Sequence, residues 1–150
     1  MTVQTWLIDI SPEECADLLS ASTLGRLGVI IDGRPEIFPV DHVYDRESGS
    51  VVFPTRAGTK LHGTLDWPWV AYEVDGVEPD DAGGWSVAVV GAAAEITDPD
   101  EIARLARERH VLWVAGETAH WIRIVPSKMT RPTDQRRRPL TVASSRCHSK

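Results

Sequence analysis

The sequence has few of the residues that mark secreted, disulfide-bonded or membrane-spanning proteins. It contains two cysteines, Cys15 and Cys147, which lie far apart and indicate no disulfide framework. Cys15 is expected to be a small core residue, since buried cysteine is usually inert. No apolar run approaches the roughly 20 residues that a membrane-spanning helix needs. The segment Met1–Glu14 lacks the basic and apolar regions of a secretory signal. These absences predict a reduced, cytoplasmic protein with no membrane partner.

Positive charge is also scarce. The 150 residues carry 16 Lys and Arg against 22 Asp and Glu, a formal net charge of -6. This balance argues against a general nucleic-acid binder, which needs a basic face. With 42% hydrophobic and 25% charged residues, the composition is that of one globular domain with a real core. The end of the chain, Arg131–Lys150, has few apolar residues and one basic run, Arg136–Arg138, and is expected to form a polar tail.

Motifs of the common self-sufficient enzymes are missing. The five histidines are scattered, and no Cys-x-x-Cys or His-x-x-x-His pair predicts a metal site. The sequence also contains no Gly-x-Ser-x-Gly, no Gly-x-Gly-x-x-Gly and no phosphate-binding P-loop. If the protein is an enzyme, we therefore expect a bound cofactor to carry the chemistry.

Short apolar segments bounded by turn residues predict a mainly β protein. The expected strands are Gly25–Ile31, Pro35–Tyr44, Val51–Thr55, Val70–Val77, Trp85–Ile96 and His120–Met129, with two or three short helices at Pro12–Ser20, Gly58–Trp67 and Asp98–Arg109. The early connections have the length of hairpin turns, whereas a parallel sheet needs a crossover helix between strands. The pattern therefore favours an antiparallel β-barrel with peripheral helices.

Three local signals support these elements. Ser11 and Glu14 have the spacing of a capping box at a helix start. Asp32 and Gly33 form a two-residue hairpin signal between two apolar runs. Gly91, in the middle of the longest predicted strand, indicates a bulge or a close approach of another backbone.

The end of the strand Val51–Thr55 is the first candidate site. It is followed by a short loop and a predicted helix start, where backbone N–H groups and the helix dipole favour an anion. Arg56 and Lys60 add positive charge, Thr55 and Thr59 add hydroxyl groups, and Gly58 adds a flexible backbone. The loop therefore predicts a phosphate site, with an ordinary surface turn as the alternative.

The second candidate is the irregular segment around Pro39. A proline within a strand removes one backbone donor, so this strand is expected to be locally irregular or to lie at a sheet edge. Its backbone could present free polar groups to a planar heterocycle, or the segment could be only a bulge. Asp41 either accepts a hydrogen bond from a ring N–H or simply turns the chain. His42 is expected to be a satisfied or surface histidine rather than a catalytic base.

These motifs, in their order and spacing, resemble one known family. The matching segments are Glu14-Cys15 with Leu18-Leu19, Gly25–Leu27, Gly33–Pro35, Phe38–Val40, Val51–Leu61, Gly84–Val87 with Gly91, and His120–Ile124. Together they resemble the pyridoxamine 5'-phosphate oxidase-like family of FMN-binding split barrels, in particular its small actinobacterial-type flavin/deazaflavin oxidoreductase branch. The resemblance implies a six-stranded antiparallel split β-barrel over residues 1–130. It further implies a homodimer that binds FMN in grooves between its subunits.

The resemblance also implies which residues bind the cofactor. By similarity, Thr55 and Lys60 contact the phosphate, while the backbone of Pro39–Asp41 lies along the isoalloxazine ring. Trp121 and Arg123 are implied to lie near the dimer seam, where they either contact the ligand or only pack in the core and the interface. The full implied set is Pro39, Val40, Asp41, Phe53, Thr55, Arg56, Gly58, Thr59 and Lys60, with Trp85 and Ser86 approaching from the second subunit.

Three places depart from the family's usual pattern, namely Lys128–Pro132, where a Thr-Gly-Arg ending is frequent, and two positions that bear on the cofactor. Pro54 stands where an arginine is frequent, and Asp41 stands where an asparagine is common. Arg56 is then the expected replacement cation. Three alternatives follow: an FMN-dependent oxidoreductase acting on a small organic substrate, a deazaflavin-dependent reductase, and a non-catalytic cofactor-binding protein. The sequence identifies neither the substrate nor a catalytic acid or base.

Overall fold

The computed structural model describes residues 11–67, 69–77, 83–108 and 119–130, and for residues 59–62 and 128–130 it describes the backbone alone. The predicted tail, Arg131–Lys150, lies outside these residues. The helices are α1 (Pro12–Ala21), α2 (Thr59–Asp66) and α3 (Pro99–Arg107). The strands are β1 (Leu24–Ile31), β2 (Arg34–Asp41), β3 (Val43–Asp45), β4 (Ser50–Thr55), β5 (Val70–Val77), β6 (Gly84–Ile96) and β7 (His120–Thr130).

The seven strands form one antiparallel sheet in the order β2-β1-β5-β6-β7-β4-β3. β2 and β3 are therefore opposite edges of the sheet, yet His42 is the only residue between them. The sheet must curl until its two edges are neighbours. In agreement, Cα atoms of β2 and β4 come within 8 Å of each other. The prediction of a mainly β split barrel with peripheral helices is confirmed.

The predicted strand count is one too low, because the segment Pro35–Tyr44 is divided at His42. The His42 N–H donates to the Thr23 carbonyl oxygen at 2.8 Å, at the point where the chain leaves β2 and crosses to β3 at the far edge of the sheet. Apolar residues stand on both sides of the Asp41-His42 pair, and no glycine marks the crossing. The sequence therefore shows one strand where the barrel needs two.

Local signals in the sequence are confirmed at three places. The Ser11 N–H donates to Glu14 Oε2 at 2.8 Å and the Glu14 N–H donates to Ser11 Oγ at 3.1 Å, which is a complete capping box. Asp32 and Gly33 have φ values of 50° and 74°, the left-handed pair that a tight hairpin requires. At Gly91 the β6–β7 register shifts, and an added Cβ would lie 1.9 Å from the Val125 carbonyl oxygen.

The main core lies inside the curled sheet and is closed at one end by α1. Alternate side chains of the strands point inward, as the two-residue period of a strand requires. Cys15 and Leu19 of α1 complete this core, so the expectation that Cys15 is a small core residue is confirmed. The buried strand residues are Leu27, Val29, Val40, Val51, Phe53, Val70, Tyr72, Val74, Val87, Val89, Ile122 and Ile124.

A second, smaller core lies between β4, β7 and α3, and a buried carboxylate holds it together. Asp45 is 1% exposed and receives hydrogen bonds from Arg104 at 3.0 and 3.2 Å and from Arg123 at 3.3 Å. Burial alone would raise the pKa of Asp45, but the hydrogen bonds from Arg104 and Ser48 outweigh it and lower the pKa. Trp121, 8% exposed, packs in the same cluster. Within one chain, Trp121 therefore packs in this core and Arg123 binds its buried carboxylate. Both residues have the structural role that was the alternative to ligand contact.

Candidate cofactor site

The barrel brings the two predicted cofactor-binding strands together at its seam. β3 pairs with β4 only as far as Val52, opposite Val43. Beyond that point, Phe53–Thr55 pairs on one side alone, with β7. β2, which contains Pro39–Asp41, approaches β4 from the opposite edge of the sheet. Among the described residues, both segments therefore have one backbone edge that no strand covers.

The outer edge of β2 carries unpaired backbone groups in a regular order. The hydrogen bond from the His42 N–H to Thr23 marks one hydrogen-bonded pair of the β1–β2 ladder. Such pairs alternate along an antiparallel ladder, so Val40 also turns its polar groups toward β1. Pro39 and Asp41 then turn theirs outward. Because the Pro39 nitrogen faces away from β1, its lack of an N–H removes no hydrogen bond from the β1–β2 ladder. The predicted edge location of this segment is confirmed.

The start of α2 lies just beyond β4 and has no side-chain cap. Gly58 is the N-cap residue, with φ of 146°, a conformation that L side chains rarely adopt. Apart from its chain neighbours, no atom of the described part of the chain lies within 4 Å of the position that its Cβ would take. The first N–H groups of a helix have no partner within the helix. A phosphate fits this uncapped start because the groups there are donors and the helix dipole is positive.

The side chains of the predicted phosphate loop are only partly described. Thr55 is buried, and its hydroxyl makes a long contact of 3.4 Å with the Arg56 carbonyl oxygen. Arg56 is exposed and forms no ion pair with another described residue. Thr59 and Lys60 begin α2, but their side chains lie outside the description. Their contacts with a phosphate stay predictions.

The remaining predicted residues lie on strands: Phe53 is in β4, and Trp85 and Ser86 are in β6. The Phe53 side chain is fully buried in the main core, so only its backbone can reach a ligand at the seam. Trp85 is the second residue of β6 and packs over Gly76, where an added Cβ would lie 2.5 Å from the indole ring. In the sheet order, two strand spacings separate β6 from β4. The approach of Trp85 and Ser86 to a cofactor of the other subunit stays a prediction.

The sequence reasoning missed Tyr72, which forms a buried polar chain with His42. Its hydroxyl lies 2.7 Å from His42 Nδ1 and 3.0 Å from the Val40 carbonyl oxygen, and His42 Nε2 lies 2.8 Å from the Leu19 carbonyl oxygen. Burial lowers the pKa of His42 and raises the pKa of Tyr72. His42 is thus the satisfied histidine that was expected. A tyrosine among inward-facing valines was the available signal, because a buried hydroxyl needs a partner.

A polar cleft of about 440 Å³ between α1, β3 and α3 is a weaker candidate. Several of its polar side chains already have partners within the chain. Ser20 and Ser22 donate to carbonyl oxygens of α1 at 2.7 and 2.8 Å, and Arg104 binds Asp45. Among the described residues there is also no group of three or more side chains that could hold a metal ion. The same part of the chain contains no helix with the length and apolarity to cross a membrane.

A curled antiparallel sheet with an open strand edge at its seam and an uncapped helix start beside it defines the class of flavin-binding split barrels. The chain belongs to the pyridoxamine 5'-phosphate oxidase family, whose profile matches residues 11–134. This match covers the whole barrel and confirms the family that the sequence motifs resemble.

Known proteins resemble this chain over most of its length. The uncharacterized protein Rv0080 of Mycobacterium tuberculosis is 30% identical over 136 residues, in an alignment that covers 83% of this chain and 90% of that protein. The structure of the FAD binding protein from Mycobacterium smegmatis is 32% identical with a TM-score of 0.72, and the match covers 86% of this chain and 98% of that one. A FAD-binding protein from Mesorhizobium loti shares the fold at 23% identity, with a TM-score of 0.70 over 85% of this chain and 97% of that one.

Proposed function

We propose that this protein is a flavin-dependent oxidoreductase that acts on a small organic substrate. One observation carries the proposal: the open edge of β2 at Pro39–Asp41 approaches β4, the strand that leads into the uncapped start of α2 at Gly58. The first surface suits a planar ring with hydrogen-bonding edges, and the second suits a phosphate. A flavin nucleotide contains both groups in one molecule.

Each part of the site has a separate role in this proposal. The outward backbone groups of Pro39 and Asp41 hold the ring, while Arg56, Thr55 and the α2 start hold the phosphate. The bound flavin supplies hydride or electron transfer, and the protein supplies binding and orientation. No described side chain is assigned as a catalytic acid or base.

FMN is the proposed form of the flavin. The described phosphate surface consists of one helix start and one exposed arginine, Arg56, which suits a single phosphate group. Two similar proteins are named as FAD-binding, so FAD is the principal competitor. A deazaflavin coenzyme, with its longer acidic tail, is the third form, and the run Arg136–Arg138 that was expected to hold it lies outside the described residues.

A second copy of the chain is the proposed partner. Leu24 and Ile37 are 59% and 71% exposed. Ile37 shares the outer face of β2 with Pro39 and Asp41, because alternate residues of a strand share a face. An apolar outer face that continues into the cofactor site suits a homodimer whose subunits enclose the flavin between them. We place this dimer in the cytoplasm on the sequence arguments alone.

The proposal is tested on the purified full chain. An absorption spectrum shows whether a flavin is bound, and chromatography of the ligand released by denaturation identifies it. Apo-protein is then titrated with FMN, FAD and a deazaflavin coenzyme, with quenching of flavin fluorescence as the signal. We expect FMN to bind most tightly. Protein that is colourless and binds none of the three overturns the proposal.

The dimer needs its own experiment. Light scattering of the wild-type protein should give twice the chain mass, and Ile37→Glu should shift the mass to that of one chain. Val125→Ser, at an exposed position of β7, serves as a matched control, and this variant should remain dimeric. A wild-type protein that is monomeric with flavin bound excludes the second copy.

A further inference from the structure

Two buried side chains support the end of β2 from inside the barrel. The Tyr72 hydroxyl lies 3.0 Å from the Val40 carbonyl oxygen and 2.7 Å from His42 Nδ1. His42 Nε2 lies 2.8 Å from the Leu19 carbonyl oxygen. Since a carbonyl oxygen only accepts, Nε2 carries a proton, and Nδ1 of the neutral ring is an acceptor. The Tyr72 proton thus lies between two acceptors, His42 Nδ1 and the Val40 carbonyl.

This contact supports the β1–β2 ladder in holding the direction of a neighbouring N–H group. The Val40 carbonyl and the Asp41 N–H belong to one peptide plane, and the described residues contain no cis peptide bond. In a trans peptide the C=O and N–H bonds point in opposite directions. With the Val40 carbonyl directed toward β1, where it also accepts from the Tyr72 hydroxyl, the Asp41 N–H is directed to the outer edge of β2. That edge is the one proposed to face the flavin.

We propose that Tyr72 and His42 are positioning residues for the cofactor, which hold the peptide between Val40 and Asp41 and so aim the Asp41 N–H at the flavin ring. The inference rests on the proposed flavin site. Neither side chain touches the flavin; both act through the backbone. His42 also fixes the crossing from β2 to β3, because its own N–H is bonded to Thr23.

The proposed role has a consequence for the redox potential as well as for affinity. A reduced flavin is richer in electrons than an oxidised one, so an N–H donor directed at the ring stabilises the reduced form more strongly. A weakened or misdirected Asp41 N–H should therefore lower the midpoint potential of the bound flavin. A purely structural contribution of Tyr72 would lower the stability of the fold and leave the potential unchanged.

The experiment compares the two tyrosines of the chain. Tyr72→Phe removes the hydroxyl and keeps the ring, and it should weaken binding of FMN by about threefold to tenfold, the value of one hydrogen bond. The midpoint potential of bound FMN should become more negative. Tyr44→Phe is the matched control, because its hydroxyl lies on β3 and makes no hydrogen bond with Val40. Its affinity and potential should equal those of the wild type.

Two variants of His42 provide an independent test if Tyr72→Phe does not fold. His42→Leu removes both ring nitrogens, so the Tyr72 hydroxyl and the crossing at residue 42 lose their polar link to Leu19 of α1, and the affinity and the potential should fall. His42→Asn places a polar group near the position of Nδ1, so Tyr72 retains a partner and the potential should return toward the wild-type value. Equal potentials for these two variants contradict a role that depends on the polar contact.

The outcomes separate this inference from the proposed function. Wild-type protein that binds neither FMN nor FAD overturns the proposed function. Wild-type protein that binds flavin, together with Tyr72→Phe of equal affinity and potential, overturns the inference alone. A Tyr72→Phe protein with lower thermal stability and an unchanged potential also overturns it, because the role of Tyr72 is then only structural.

Discussion

The hydroxyl of Tyr72 occupies the space that a side chain on Gly25 would need. A Cβ at Gly25 would lie 2.3 Å from Tyr72 Oη and 2.4 Å from Cζ of the same ring. The glycine in β1 therefore allows the tyrosine of β5 to reach across the strand to β2. The short sequence Gly25-Arg26-Leu27 in β1 thus belongs to the same arrangement as the cofactor-facing peptide.

Substitution of Gly25 should destabilise the barrel. Gly25→Ala forces Tyr72 and the Glu73 carbonyl, 2.7 Å from the new Cβ, to move, at a cost of about 1–3 kcal/mol in the free energy of unfolding. Gly28→Ala on the same strand is the matched control, since its Cβ would meet only ordinary contacts at 3.7 Å. Urea unfolding measures both. Equal stabilities of the two variants would contradict the close packing of Tyr72 on Gly25.

The buried carboxylate of Asp45 should matter far more than an exposed one. Asp45→Ala leaves Arg104 and Arg123 without their shared partner, and because both arginines are partly exposed we expect a loss of about 2–3 kcal/mol. Asp17→Ala removes an ion pair with Arg46 that lies at the surface, and its effect should stay within about 0.5 kcal/mol. Thermal unfolding compares the two. A small effect at Asp45 would show that the network does not hold α3.

Stability should fall with decreasing pH in two separate ranges. Burial lowers the pKa of His42 in the folded protein below its ordinary value of 6.5, so below about pH 6.5 the unfolded chain binds a proton that the folded chain does not. The loss has a slope of at most about 1.4 kcal/mol per pH unit for one group. The stabilisation from Asp45, whose pKa is lowered from 3.8, is lost only at lower pH.

Urea unfolding at a series of pH values between 7 and 5 measures the first range. The His42→Leu variant cannot take up this proton and should have a smaller slope than the wild type. A wild-type stability that does not change over this range means that His42 is not buried as a neutral ring.

The start of α2 can be tested separately from the ring site. Gly58→Ala puts an L residue at φ of 146° and should shift the helix start, which weakens binding of FMN by about tenfold while riboflavin, which lacks the phosphate, binds nearly as before. Gly33→Ala also places a side chain at a positive φ of 74°, in the hairpin, and should leave both affinities unchanged. An equal loss for FMN and riboflavin would place the phosphate elsewhere.

The sequence predicted the parts of this protein that depend on local chemistry. The capping box at Ser11, the hairpin at Asp32 and Gly33, and the bulge at Gly91 each follow from conformational preferences of a few residues, and each is confirmed. The edge position of Pro39 also followed from its missing N–H. The ordered motifs then identified the family.

The closure of the barrel could not be read from the same signals. The break at His42 depends on hydrogen bonds to Thr23 and Leu19, which come from distant parts of the chain. The role of Tyr72 likewise depends on its contact with Val40 of β2, which lies on the far side of β1 from the strand of Tyr72. The pattern of apolar residues specifies which side chains face inward, but it does not specify the partners of a buried polar group. The pattern likewise does not specify which residues a second subunit would contact.

The single residue between β2 and β3 has a consequence for how the chain folds. β1 with β2 and β3 with β4 are two hairpins formed by local contacts. Because His42 alone joins them, the second hairpin starts where the first one ends, and little chain entropy is lost in bringing the two sheet edges together. The long-range steps are the pairing of β1 with β5 and of β4 with β7. The seam that is proposed to hold the flavin is thus set early by neighbouring residues, and the two hairpins join the rest of the sheet last.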